Sequence, residues 1–145
     1  PIDFGARFFD GRRWLGKSKT IEGFFFGVFF GTFVGAIQAL VEYYGSATYP
    51  LQRVLLALIL SFGAMVGDSI GSFIKRRFNL KAGQATPLLD QWDFVVGAFL
   101  FAFVFKGWVP FPSMDSILVI LVITPVLHIL ANYCAYKLKI KGVPW

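Results

Sequence analysis

The chain has 145 residues, 57% of them hydrophobic and only 15% charged, with a net charge of +6. A soluble domain normally carries about 25% charged residues, so this chain lacks the polar surface that water requires. The basic balance is what an integral membrane protein uses for orientation, so no nucleic-acid partner is expected, and the lone Cys134 excludes an internal disulfide framework or a thiolate metal site.

The apolar residues fall in long blocks, the pattern of helices that cross a bilayer. A polar, basic segment comes first, and the first span is predicted at about 22–43, around the uncharged run Gly23–Val41. Within it Gly23, Gly27, Gly31 and Gly35 recur every four residues, a smooth stripe on which another helix can lie closely. That helix can belong to the same chain or to a second copy, so a homodimer is an open alternative. The turn "GSATYP" leads to a second span at about 51–73, with Asp68 within its last turns. Residues 74–89 are basic and contain Gly83 and Pro87, so a polar loop is predicted there. A third span follows at about 90–108, stopped by "PFP", and a fourth at about 116–137, with Pro125 as a kink. The expected fold is a single all-α transmembrane domain over 1–145, a bundle of four helices. The chain opens on Pro1 rather than Met, so a fifth span upstream is expected.

Charge placement tests this map. Four spans put the N-terminal segment, the 74–89 loop and the C-terminal tail on one side, which receives all the Lys and Arg except Arg53 and Lys106. That asymmetry assigns the first side to the cytoplasm.

The same side gathers the chemistry. Asp68, Ser72 and Lys75 can share one helical face, and Asp90 and Asp93, three apart, share another at the start of the next helix. Carboxylates at a membrane helix end are costly unless paired or bound to a cation. One account is structural: acids favoured by a helix N-terminus and cations holding a loop in the cytoplasm. The other is a site for a divalent metal and phosphates, since Mg²⁺ takes one or two carboxylates plus substrate phosphates and Lys or Arg neutralises the remaining charge. The second accounts for the whole cluster at once. "GKSKTIEGFFFG" adds Lys17, Lys19 and Thr20 at a helix start, a reasonable phosphate cradle on the same side.

"SFIKRRFNLK" with "LLDQWD" resembles the signature of the membrane CTP-transferases that make CDP-activated lipids, the phosphatidate cytidylyltransferase family. Its Ser, Lys-Arg, Lys and two closing Asp fall on Ser72, Lys75, Arg76, Lys81, Asp90 and Asp93, with Asp68 matching an upstream acid. "KSKTIEG" is similar to the Lys-Lys-Thr-x-Glu-Gly element of those enzymes, placing Lys19, Thr20, Glu22 and Gly23. Ala82 and Gln91 depart from the bacterial and eukaryotic pattern, and no His-Gly-Gly precedes the closing acids. The opening "PIDFGARFFDGRRWLGKSKT" and the ending "LHILANYCAYKLKIKGVPW" instead resemble the archaeal branch, whose product is CDP-archaeol.

The resemblance implies an enzyme of the cell membrane with its active site facing the cytoplasm. Its substrates would be CTP and a glycerol phosphate bearing two ether-linked geranylgeranyl chains, and its cofactor Mg²⁺. Asp68, Asp90 and Asp93 would hold the metal, Lys75 would act with them in catalysis, and Lys19, Thr20, Ser72, Arg76 and Lys81 would bind the nucleotide. Elsewhere, His128 and Asn132 are four apart on the last span, where an interhelical hydrogen bond is the simpler account. Arg12 and Arg13 suit either the lipid phosphate or anionic headgroups. The CDP-alcohol phosphotransferases are excluded, because "DGRRWLG" has their Asp-Gly but not the Ala-Arg and spaced acids that follow. A small transporter or channel is the non-enzymatic alternative, and it predicts ionisable groups near a helix midpoint.

Overall fold

The computed structural model describes residues 1–46, 50–80, 84, 86–140 and 142. Among them are four helices and no strand: α1 (Ile21–Ser46), α2 (Pro50–Arg77), α3 (Pro87–Val104) and α4 (Met114–Lys137). Stretches of α1, α2 and α4 are long and apolar enough to cross a membrane. The protein is therefore a multi-pass membrane protein.

α2 is the centre of the bundle, packing on α1 along one side and α3 along the other, while α4 touches α3 alone. Small residues set both major contacts. The α1 stripe lies on α2 of the same chain: a Cβ added to Gly27 would strike Met65, on Gly31 it would strike Ser61, and on Gly35 it would strike Ala57. Gly27, Gly31 and Gly35 therefore face a helix of the same chain. On the other side the backbones nearly touch, for a Cβ on Gly67 would come within 2.9 Å of the Gly97 Cα. Such close approach gains dispersion contacts that lipid tails do not match. Few side chains are buried, and the exposed Phe, Leu, Ile and Val cover the outside of the bundle. α4 buries no residue and runs past Pro125 without interruption.

Two helices differ at their ends from the sequence expectation. The second helix does not stop at residue 73 but continues through Lys75, Arg76 and Arg77. Cations are favoured in a last turn by the helix dipole, and the end itself is set by Asn79 at φ +60°. Leu80 N–H bonds the Lys75 carbonyl at 3.0 Å and Asn79 N–H the Arg76 carbonyl at 3.2 Å, a left-handed cap. α3 begins at Pro87, a residue suited to a first helical position, and ends at Val104, four residues short of Trp108. Residues 1–20 are not helical but form a folded loop that returns on itself through an Arg7–Arg13 bridge.

Candidate active site at the α2–α3 helix ends

The ends of α2 and α3 and the start of α1 meet at one place. Thr20 caps α1, its hydroxyl accepting from Gly23 N–H at 3.0 Å. Beside it Lys19 reaches across to α2 and pairs with Asp68. Ser18, Lys19, Thr20 and Asp68 line a cleft of about 160 Å³ with Met65 and Ser69. Next to this polar cleft, and sharing Ile2, Phe24 and Ser69 with it, an apolar groove of about 500 Å³ runs along α1 and α2.

Asp93 enters from α3. Its carboxylate accepts from Phe94 N–H at 2.7 Å and packs against Gly71 of α2, where an added Cβ would lie 2.7 Å from its Cγ. Asp93 is within electrostatic reach of Asp68, Lys75 and Lys19. Lys75 pairs with Asp90, whose other oxygen accepts from Thr86 N–H at 2.9 Å. Arg76 is different. Its side chain has no hydrogen-bond or ion-pair partner among the described residues, although its Nε is buried. Ser72 is buried in α2 at 7% exposure, and Lys81 lies outside the described residues.

The expected residues therefore come together, but not as one ring of acids. Among the described residues no three His, Cys, Asp or Glu side chains gather as a metal site. Asp90 is paired with Lys75 and Asp68 with Lys19, while Asp68 and Asp93 are two carboxylates that feel each other's charge. An all-oxygen pair of this kind fits magnesium, which keeps its remaining positions for water and phosphate oxygens.

The N-terminal arginines have other partners than lipid phosphate. Arg13 pairs with Asp3 at 2.5 Å, and Arg12 donates to the Arg77 carbonyl at 2.6 Å. Asp3, its side chain 1% exposed, also accepts from the N–H groups of Gly5, Leu15 and Gly16. Burial opposes its charge, yet the Arg13 guanidinium and these N–H donors outweigh burial and hold its carboxyl well below the usual carboxylate range. Gly16 sits at φ +117°, a conformation that side chains strain to adopt. Asp3, Asp10 and Gly71 escaped the sequence reading. The run "DGRR" was the available signal for Asp10, and Gly71 falls four residues after Gly67.

Comparison with known proteins gives a consistent result. A family model described as "CarS-like: CDP-archaeol synthase" matches residues 1–145. The chain is 49% identical over 147 residues to a CDP-archaeol synthase of Pyrococcus abyssi, covering 100% of this chain and 83% of that one. It is 44% identical over 154 residues to one of Methanocaldococcus jannaschii, with 100% and 83% covered. A solved structure of an intramembrane enzyme for archaeal membrane lipids biosynthesis is also similar, with a TM-score of 0.70 and 32% identity. That match covers 91% of this chain and 78% of the other.

Proposed function

The chain belongs to the CDP-archaeol synthase family, and from this premise we propose that it transfers the cytidylyl group of CTP to the phosphate of an unsaturated archaeal ether lipid. The observation that carries the reading is the junction of the Lys19–Asp68 cleft with an apolar groove. A water-borne nucleotide and a lipid phosphate can meet there while the isoprenoid chains stay among Phe and Ile side chains.

An oxygen of the lipid phosphate attacks the α-phosphorus of CTP. The new P–O bond forms as the bond from the α-phosphorus to the bridging oxygen breaks, and pyrophosphate leaves with that electron pair. No general base is needed, because a phosphate monoester is largely ionised at neutral pH. The obstacle is repulsion between two anions, and the cations at the site answer it. Arg76, without a side-chain partner among the described residues, binds the triphosphate. Lys19 and Lys75 exchange Asp68 and Asp90 for phosphate oxygens, and the start of α1 at Thr20 presents N–H groups to the same anion. Asp68 and Asp93 would hold magnesium, with Asp90 released as Lys75 turns. The ion supplies charge neutralisation on the α-phosphate and the departing pyrophosphate.

α3 is taken to span as well, as the third of four, and the basic end of the bundle as the cytoplasmic face of the cell membrane, on the strength of the charge asymmetry. The transport alternative gains no support: the matching family model and relatives are CDP-archaeol synthases, Lys75–Asp90 joins the end of α2 to the start of α3, and Asp68, nine residues before the end of α2, is paired with Lys19. The test uses purified protein in detergent with labelled CTP, Mg²⁺ and a geranylgeranyl ether glycerol phosphate. Mg²⁺-dependent CDP-lipid and pyrophosphate, both lost in Asp68→Asn and Asp93→Asn proteins that melt normally, are expected. Undiminished turnover in these variants would remove the acids from the mechanism, and a folded wild-type protein that makes no CDP-lipid would overturn the proposed activity.

A further inference from the structure

Lys75, Arg76 and Arg77 read in sequence as one cationic patch, but Arg77 has a separate set of partners. Its guanidinium lies against the rings of Phe8 and Phe73, 4.8 Å from each centroid, and the two rings pack edge to face on each other at 5.4 Å. It donates to the Asp10 carboxylate at 2.6 Å and to the Arg13 carbonyl at 2.6 Å, leaving its side chain 19% exposed. In return Arg12 donates at 3.3 Å to the Arg76 carbonyl, which also accepts from Asn79 N–H, and at 2.6 Å to the Arg77 carbonyl at the end of α2. The loop and the helix thus hold each other through both arginines.

The fastening is passed on toward the cleft. Asp3 ties together Gly5, Arg13, Leu15 and Gly16, and Ile2 N–H donates to the carbonyl of Lys19 at 2.8 Å. A chain of contacts therefore runs from Arg77 through Arg13 to Asp3, with Asp10 joining Arg77 to Arg12 beside it, and from Asp3 through the neighbouring Ile2 to the backbone of the lysine that meets Asp68.

We propose that Arg77 is a positioning residue for this reaction: with Asp10 and Arg12 it clamps the N-terminal loop across the end of α2 and so holds Lys19 and Thr20 over Asp68. The functional half of this statement rests on the proposed nucleotide chemistry; the clamp itself does not. A planar fork that rests on two rings and donates to two separate oxygens is work for arginine, which lysine replaces poorly although it keeps the charge.

The experiment uses the full chain in detergent with Arg77→Lys, Asp10→Asn and the double variant, each checked for a normal melting profile. Two readouts are taken: the rate of tryptic cleavage within residues 1–19 without nucleotide, and equilibrium CTP binding with KM and kcat. Each single variant is expected to speed cleavage about tenfold and raise the CTP Kd and KM about fivefold to tenfold, with kcat at saturating CTP changed less than about twofold. The double variant should be no worse than the singles, because both break one clamp. Unchanged cleavage in both singles would overturn the clamp. Faster cleavage with unaltered CTP binding would reduce Arg77 to a structural role, and weakened binding in Arg77→Lys alone, with Asp10→Asn normal, would make Arg77 a nucleotide ligand instead. Wild-type protein that fails to bind CTP would overturn the nucleotide reading and with it the positioning role, while the cleavage rates still decide the clamp.

Discussion

Gly71→Ala tests whether the glycine facing Asp93 serves the site rather than helix packing alone. An alanine Cβ there would lie 2.7 Å from the Asp93 Cγ and 2.8 Å from its Cβ, where ordinary contact starts at 3.4 Å. Rotating the Asp93 side chain relieves the first clash but not the second, since Cβ is fixed to the α3 backbone. The carboxylate must then retreat by about 0.6 Å or more together with its helix. Displacements near 1 Å at a reacting group cost on the order of a hundredfold in rate, so kcat/KM for CDP-lipid formation should fall about 30- to 100-fold. Gly27→Ala is the control. Its new Cβ meets only the thioether end of Met65, a flexible side chain that can move aside, so activity should stay within about threefold. Initial rates are read beside melting temperatures in the same detergent. Wild-type kcat/KM in a folded Gly71→Ala protein, or equal losses in the two variants, would refute the argument.

Lys19→Met should tighten binding of Mn²⁺ alone, followed by electron paramagnetic resonance without nucleotide, because the ammonium that competes for Asp68 is gone. The pair is 23% and 35% exposed, worth about 1 kcal/mol, so a gain of about fivefold is expected. An unaltered Mn²⁺ affinity would mean that Asp68 is not a metal ligand. Asp3→Asn should release the N-terminal loop at neutral pH, seen as faster hydrogen exchange at the Leu15 and Gly16 amides, which donate to this carboxylate. The folded carboxyl titrates below the unfolded value of about 3.9, so its stabilisation is complete above that value and is lost only as pH falls through the lower folded one. In the wild type the two amides should therefore remain protected at about pH 4; loss of protection between pH 7 and 5 would contradict the assignment.

The spans were legible because an apolar block of about 20 residues is already a length argument, and α1 and α4 begin and end within three residues of the expectation. The glycine stripe announced a close neighbour without saying which, since spacing describes one surface and not its partner. The signature anticipated that Lys19, Asp68, Lys75, Asp90 and Asp93 would lie together, as they do in the structure, whereas it gave no sign of the clamp. Its contacts join Arg77 to Asp10 and Arg13 across more than 60 residues, and neither hydrophobic period nor motif encodes such a pairing. Asp3 likewise looks like an ordinary surface acid until Arg13, Leu15 and Gly16 fold around it.

The sequence expectation placed Lys75, Arg76 and Arg77 in a loop beyond residue 73, and the longer α2 changes what that run can do. In a flexible loop, Lys75, Arg76 and Arg77 could all turn toward one phosphate. In a helix that continues to Arg77, neighbours point about 100° apart and consecutive residues do not share a face. Three directions follow from that geometry, and the chain uses each differently: Lys75 meets Asp90 on α3, Arg77 meets Asp10 in the N-terminal loop, and Arg76 retains a buried Nε without a partner. Moving a cation along the run would therefore change which element it serves. A swap that keeps two arginines and one lysine but places the lysine at 77 would preserve net charge while weakening the clamp and putting an arginine against Asp90. Charge at the helix end is common to both arrangements; the direction each cation takes distinguishes them.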